Sequence, residues 1–150
     1  MGSKSKFKFL TYQNYLEMIK VSENSEMFRH VYILDNGKKK DILKNGEYSC
    51  AYYVSCILKL FDLISETHAT VSGAIQDMVK NSWQVTKKLI PGNILVWEKK
   101  DGHQHIGFYL GNNKAISNSS DKGIPVIHEY TYNKKRRITK ILTHEIITRV

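Results

Sequence analysis

The residue pattern of this chain changes at Pro91-Gly92, and this change constrains the fold more than any other feature of the sequence. Before that point, apolar residues recur at steps of three and four, which is the spacing of a helix with one buried face. After it, short runs of β-branched and aromatic residues alternate with turn residues, as in β-strands. We therefore predict an α+β domain with N-terminal helices packed on a central antiparallel β-sheet meander.

Three helices are predicted in the first part of the chain. The best defined runs from Cys50 to Ile64, where apolar residues recur at helical spacing behind Ser49, a good N-cap residue. The other two cover Tyr12 to Val21 and a segment that Thr70 caps and that ends near Asn81. The residues from Phe28 to Leu34 fit a helix and a strand equally well.

Five short strands are predicted in the second part. Turn residues at Lys99 to Gly102 and at Gly111 to Asn113 are typical of hairpin connections. Trp83 and Trp97 are interpreted as core residues because of their large apolar rings. The predicted strands cover Ile94 to Trp97, His105 to Leu110, Lys114 to Ser117, Val126 to Tyr130 and Ile138 to Thr143.

The length and composition are those of one compact domain. The chain has 150 residues, of which 41% are hydrophobic, so we expect a single domain over residues 1–150 and a monomer. No apolar run reaches the roughly 18 residues that span a bilayer. The first ten residues carry basic side chains but no apolar run, and so show no signal peptide. We expect a cytoplasmic protein or one exported without such a signal.

The chain is strongly basic, with a net charge of +9 from 23 Lys and Arg against 14 Asp and Glu. The excess is concentrated at Lys38 to Lys40, Lys87 to Lys88 and Lys134 to Arg137. We interpret this charge mainly as a determinant of solubility, because the runs lie in predicted turns and lack interleaved aromatic residues. The alternative is attraction to an anionic polymer through this basic surface.

The two cysteines differ in their position on the predicted helix. Cys50 and Cys56 are about 9 Å apart along its axis and on different faces, so they cannot form a disulfide there. Neither belongs to a pattern typical of zinc ligands, and we expect no metal and no cofactor. Only Cys50 lies at the helix start, where backbone N–H groups and the helix dipole are expected to lower a thiol pKa.

His105 is the candidate base for this thiol. A cysteine considered alone is more commonly a small buried hydrophobic residue, but the strand that begins at His105 changes that interpretation for Cys50. His105 and Gly107 lie on the face opposite the core, and the glycine leaves space above the sheet for a substrate. His103 is the one rival base. The remaining histidines are interpreted as surface residues or internally satisfied ones: His30, His68, His128 and His144.

Four motifs in this order resemble the NlpC-type cell-wall cysteine peptidases, over a core of about residues 46–120. They are Tyr48 to Val54, Trp83, Pro91 to Trp97 and His105 to Asn112. The resemblance implies a papain-like fold, a cysteine nucleophile on a helix, a histidine base on a strand and a polar third residue on the next strand. Such proteins typically hydrolyse amide bonds in peptidoglycan peptides.

The third catalytic position falls on Ser117, with Asn118 beside it. Neighbouring residues on a strand face opposite ways, so only one of them faces His105 unless the strand bulges. The side-chain carbonyl of Asn118 would accept from the imidazole N–H, as an asparagine does in papain-like triads. Ser117 and Asn118 are therefore both candidates for the residue that orients His105.

Residues around the nucleophile depart from the family pattern. Tyr52 stands where the family has a small residue and would reshape the substrate groove. The backbone N–H of Cys50 is the natural first donor to an oxyanion, and the hydroxyl of Tyr48 or Tyr32 would add a second.

The leading hypothesis is a cysteine hydrolase that cleaves an amide bond in peptidoglycan peptides through a Cys50 acyl-enzyme, with His105 as base. A second hypothesis is a non-catalytic binding domain on the same scaffold. A third is a cytosolic thiol amidase, deamidase or protein-modifying effector, since fold alone does not set the substrate.

Overall fold

The computed structural model describes residues 6–149. The prediction made for the first ten residues therefore falls partly outside the described residues. Within the described part, none of the helices is long and apolar enough to cross a membrane. The helices are α1 (Thr11–Val21), α2 (Cys50–Leu60), α3 (Val71–Lys80) and α4 (Glu145–Thr148). The strands are β1 (Tyr32–Asp35), β2 (Lys38–Asp41), β3 (Gln84–Thr86), β4 (Ile94–Lys100), β5 (His103–Gly111), β6 (Lys114–Ser119), β7 (Ile124–Glu129) and β8 (Ile138–Thr143).

The predicted α+β class is confirmed, with a more complex sheet than a simple meander. All pairings are antiparallel, and the six-stranded sheet has the order β3-β8-β4-β5-β6-β7. Strands β4 to β7 form the predicted meander. Strand β8 then returns to the other side of β4, so the connection over residues 130–137 crosses the end of the sheet. This connection carries residues of the candidate site.

The segment that fitted helix and strand equally well contains β1. It pairs with β2 across a turn at Asn36 and Gly37, in a two-stranded ribbon outside the main sheet. The sequence prediction did not include β2, β3 or α4, which have four, three and four residues.

Helix α2 is shorter than predicted, and the capping residues explain its bounds. Asp62 adopts a left-handed conformation (φ 55°), and Leu63 donates back to the carbonyl of Leu58, which ends the helix before Ile64. Ser49 occupies the N-cap position, but its hydroxyl makes no capping hydrogen bond. Thr70 caps α3 as predicted, accepting from the N–H of Gly73.

The sheet is apolar on both faces. The larger cluster lies between the helices and the sheet and includes Ile106, Phe108 and Trp83. The smaller cluster, on the opposite face, contains Leu95, Trp97, Tyr109 and Ala115. Both tryptophans are buried, as predicted. Because side chains alternate along a strand, His105 lies on the face of the smaller cluster and packs against Trp97.

Candidate active site

Cys50 begins α2, and its thiol lies where β5 and β6 separate. Strand N–H groups alternate in direction, and that of Tyr109 points toward β4, to the carbonyl of Asn93. The N–H of Ile106 therefore points toward β6, which pairs with β5 only from the next residue onward. This N–H donates to the Cys50 sulfur instead. The fold thus places the thiol beside the backbone residue that follows His105.

Burial controls the charge state of the thiol. It raises the pKa of Cys50 above its ordinary value, although the N–H groups of Ile106 and Ala51 and the charge of Arg136 act in the opposite direction. The expected lowering of this pKa is therefore wrong for the resting site. The helix start supplies its N–H donors, but they do not outweigh the removal of the sulfur from water.

The His105 ring is held by a serine and a tryptophan. Its Nε2 lies 2.9 Å from Oγ of Ser117, and its ring centroid lies 5.1 Å from that of Trp97. Burial lowers the pKa of His105 to about 3, and the nearby Arg136 contributes in the same direction. The imidazole is therefore neutral at neutral pH, and the same burial makes it a weak base in the resting site. Within residues 6–149, no hydrogen bond joins this ring to Cys50, although both side chains line one cleft.

Ser117 and Asn118 point to opposite faces of β6. Ser117 contacts His105, whereas Nδ2 of Asn118 donates to the carbonyl of Gly46 at 2.7 Å, on the helix side of the sheet. Strand β6 has no bulge there, because both residues pair in regular register with β7. The structure therefore does not bring Asn118 to the His105 ring. Its amide anchors the loop that leads into α2.

Two further side chains meet the Ser117 hydroxyl. Nε2 of His128 lies 2.7 Å from Oγ of Ser117, and the hydroxyl of Tyr132 lies 2.9 Å from it. The His128 and Tyr132 rings stack with centroids 3.9 Å apart, and both pack against Trp97. Ser117 therefore joins His105 to a second histidine.

Gly107 makes room for this cluster rather than for a substrate. A Cβ atom there would lie 2.7 Å from Cβ of Ser117, 2.7 Å from the carbonyl oxygen of Ile116 and 3.1 Å from the ring of Trp97. The prediction of open space above this glycine is wrong, because Ser117 and Trp97 fill it. The missing side chain lets Ser117 come within reach of His105.

A strained turn brings Tyr132 into the site. Tyr132, Asn133 and Lys134 all have left-handed backbone conformations, which are unfavourable for residues other than glycine. Oε1 of Glu129 holds the turn by accepting from the backbone N–H groups of Thr131 and Asn133 and from the Thr131 hydroxyl. Carboxylate hydrogen bonds thus compensate for the strain where the chain leaves β7.

The same connection carries Arg136. Its Nε donates to the carbonyl of Glu98 and its Nη2 to the carbonyl of His103, both at 2.9 Å. These contacts fix a positive charge beside the cleft, where it lowers the pKa values of Cys50 and His105.

The three candidate tyrosines have different surroundings. Tyr48 lines the cleft and packs against His103. Tyr52 lies about 200° around the helix from Cys50, and its hydroxyl donates to the Cys56 sulfur, so it does not reach the groove that it was expected to reshape. Tyr32 is 54% exposed on β1 and stacks on His30.

Sequence reasoning missed His128, Tyr132 and Arg136. His128 was interpreted as a surface or satisfied residue, but it contacts Ser117. The alternation within the predicted strands carried a signal for it, because His128 shares the Ser117 face once β6 and β7 pair. Tyr132 and Arg136 lie in a loop whose path no periodicity indicates.

The other histidines are accounted for by local partners, as predicted. His30 pairs with Asp41, His68 pairs with Asp77, and His144 bonds the carbonyl of Asn81. His103, the rival base, lines the cleft and contacts the Tyr48 ring.

The cleft around Cys50 and His105 has a volume of about 980 Å³. No group of three or more His, Cys, Asp or Glu side chains in the described part of the chain is placed to hold a metal ion. Basic residues outnumber acidic ones along its walls. The basic residues are Lys99, Lys100, Lys135 and Arg136, and the acidic ones are Glu47, Asp101 and Asp121.

Comparison with known proteins identifies the family. The model of the NlpC/P60 family matches residues 37–143, more than two thirds of the chain, including α2 and the whole six-stranded sheet. No curated protein gives a significant match. Members of this family are typically cysteine hydrolases with a papain-like fold, and their general activity is that of cell-wall peptidases or amidases. The chain therefore belongs to the NlpC/P60 family.

Proposed function

We propose that this protein is a cysteine hydrolase that cleaves an amide bond in peptidoglycan peptides, with Cys50 as nucleophile and His105 as base. One observation carries the proposal: the Cys50 sulfur accepts from the N–H of Ile106, the residue after His105, and the neutral His105 ring that contacts Ser117 lines the same cleft. The resting pair is a neutral thiol and a neutral imidazole, so the thiol proton must move as the sulfur attacks.

In acylation, the Cys50 thiol gives its proton to His105, and the sulfur bonds to the carbonyl carbon of the substrate. The carbonyl oxygen becomes an oxyanion, for which the backbone N–H of Cys50 is a donor. Tyr48, whose side chain lines the cleft, is proposed as a second donor. Collapse of the intermediate breaks the C–N bond, and His105 gives the proton to the leaving amine.

In deacylation, a water molecule attacks the thioester on Cys50. His105 takes a proton from this water and returns it to the Cys50 sulfur as the C–S bond breaks. The products of one cycle are a carboxylic acid and an amine. The protein ends the cycle in its starting protonation state, so water is the only co-reactant that the cycle consumes.

The cleft walls carry four basic and three acidic side chains, and this excess of one positive charge supports an anionic polymer as substrate or partner. Lys99, Lys100 and Lys135 lie with Arg136 around the candidate nucleophile. Fixed positive charges along a cleft attract acidic substrates, and salt weakens that attraction.

The test of substrate class is incubation with purified peptidoglycan and, separately, with unfolded protein substrates, followed by mass spectrometry of the soluble products. Wild-type protein should release fragments that carry a new carboxyl group and a new amine from peptidoglycan peptides. Cys56→Ser is the matched control, because it removes the other thiol, and it should release the same products. Conversion of protein substrates alone would support a thiol effector and contradict the cell-wall assignment.

A non-catalytic binding domain is the second candidate. Two observations favour it: burial raises the pKa of the Cys50 thiol, and among the hydrogen bonds of residues 6–149 none joins Cys50 to His105, although both line the cleft. A binding domain would retain peptidoglycan in a pull-down and release no products, and Cys50→Ala would bind as well as the wild type. Product release that Cys50→Ala abolishes would exclude this candidate.

A further inference from the structure

The hydroxyl of Ser117 stands at the centre of a hydrogen-bonded group on the His105 face of the sheet. It lies 2.9 Å from Nε2 of His105, 2.7 Å from Nε2 of His128 and 2.9 Å from the hydroxyl of Tyr132. A serine hydroxyl has one proton to donate and two lone pairs with which to accept. Ser117 therefore donates to one of these three neighbours and accepts from the other two.

The position of that proton follows from His128. Its Nδ1 lies 2.7 Å from the carbonyl oxygen of Glu129, which has no proton of its own, so Nδ1 carries the proton of this contact. Burial lowers the pKa of His128 and favours the neutral ring. In a neutral ring with a proton on Nδ1, Nε2 is an acceptor. The Ser117 hydroxyl therefore donates to His128.

This leaves two lone pairs on Ser117 for the two remaining neighbours. They accept from the Tyr132 hydroxyl and from Nε2–H of His105. Neutral His105 then has no proton on Nδ1, and Nδ1 makes no hydrogen bond within residues 6–149. The Cys50 sulfur lies against the N–H of Ile106, the residue after His105. Nδ1 is thus the ring nitrogen that has no proton and no hydrogen-bond partner within residues 6–149, and the proposed function assigns it the thiol proton.

We infer that His128 is a positioning residue that acts through Ser117 to hold His105 in the tautomer with Nδ1 free as the base. The catalytic consequence rests on the proposed function, whereas the tautomer is a property of the resting protein. The ring of His128 is itself fixed, because it stacks on Tyr132 and packs against Trp97. A base held in the wrong tautomer cannot accept the proton it must take, which is why orienting partners matter in such sites.

The test measures the ring-nitrogen chemical shifts of His105 in isotopically labelled full-length protein, with His105→Gln used to assign the signals. Wild type should show the proton on Nε2. His128→Phe keeps a ring against Tyr132 but has no acceptor, so the Ser117 hydroxyl should turn to Nε2 of His105 and the proton should move to Nδ1. His128→Gln supplies an amide oxygen and should retain the wild-type pattern.

Tyr132→Phe is the matched control, because it removes one donor to Ser117 and leaves the bond to His128 in place. It should keep the proton of His105 on Nε2. Thermal melting checks that each variant folds. If His128→Phe does not fold, Ser117→Ala serves instead, because it removes the bridge and should give a mixture of the two His105 tautomers.

Turnover of peptidoglycan peptides gives the second readout. His128→Phe should lower kcat about 10- to 100-fold with KM changed less than about twofold, and His128→Gln should recover most of the rate. Wild-type His105 shifts in folded His128→Phe, or a wild-type proton on Nδ1, would overturn the inference. The predicted tautomers in a protein that hydrolyses no peptidoglycan peptide would support this inference and contradict the proposed function.

Discussion

The Ser117 hydroxyl lies 2.9 Å from Nε2 of His105, and this contact assigns the two polar residues of β6 to different tasks. Ser117 faces the imidazole on one side of the sheet. Asn118 faces the other side and donates to the carbonyl of Gly46, in the loop that precedes the candidate nucleophile. The residue whose chemistry looked better suited to orient the imidazole thus has a structural contact.

Asn118→Ala should reduce stability rather than remove a contact to His105. The substitution leaves the buried carbonyl of Gly46 without its donor, and such a loss costs about 1–3 kcal/mol. Urea unfolding measures this change. Asn14→Ala, at an exposed position of α1, is the control and should change stability by less than about 0.5 kcal/mol. Equal stability of the two variants would contradict the anchoring role of Asn118.

Gly107→Ala should destabilise the pairing of β5 with β6. Its Cβ would lie 2.7 Å from the carbonyl oxygen of Ile116, a backbone atom that cannot rotate away. We expect a loss of about 1–3 kcal/mol in urea unfolding, as for other overpacked sites. Gly102→Ala measures backbone strain alone, because a Cβ there meets nothing within 4 Å although its φ is +80°, whereas Gly107 has no left-handed φ and Gly107→Ala measures the close contact alone. If Gly107→Ala has the wild-type free energy of unfolding and releases product at the wild-type rate, the sheet accommodates the methyl group and the prediction is wrong.

Arg136→Gln should raise the pKa of the Cys50 thiol further. The guanidinium lowers this pKa in the wild type, so its removal shifts the rise in iodoacetamide alkylation to higher pH. The wild-type midpoint should already lie above about 8.5, the value of an unperturbed cysteine. The measurement uses the Cys56→Ser background, so that one thiol reacts.

Arg137→Gln is the matched control for this titration. The Arg137 side chain is 78% exposed and pairs with Glu98. It does not contribute to the change in the pKa of the Cys50 thiol. It should leave the alkylation midpoint unchanged. A midpoint well below that of an unperturbed cysteine in the wild type would contradict the buried thiol described above.

Glu129→Ala should loosen the turn that carries Tyr132. The hydrogen bonds from Thr131 and Asn133 lower the pKa of Glu129 below its ordinary value of 4.5. A carboxylate with a lowered pKa stabilises the folded protein above that ordinary value, and the stabilisation is lost as the pH falls through the folded pKa. The difference in melting temperature between wild type and variant should therefore be largest near neutral pH and shrink in acid. A difference that is constant with pH would contradict this role.

Much of the fold follows from periodicity, and most departures have local causes. The spacing of apolar residues from Ala51 onward predicts α2, but its end depends on a left-handed Asp62, which no apolar pattern marks. The strands of the meander follow from alternation. The return of β8 to β4 does not, because strand order depends on contacts between distant segments.

The candidate site likewise contains residues that the sequence predicts and residues that it does not. Cys50 begins α2 and His105 is the third residue of β5, and the sequence predicts both elements, although it places the start of the strand at His105. Tyr132 reaches the site through a turn of consecutive left-handed residues that Glu129 holds, and composition does not predict such a turn. The thiol pKa was mispredicted because a helix start is visible in the sequence, whereas the burial of one sulfur atom is not.

The central claim is that Cys50 is the nucleophile, and the rate of product release from purified peptidoglycan tests it most directly. Wild type and Cys56→Ser should release fragments at the same rate, and Cys50→Ala should lose at least about 10³-fold while keeping the wild-type melting temperature. Product release by folded Cys50→Ala at a rate near that of the wild type would contradict the account.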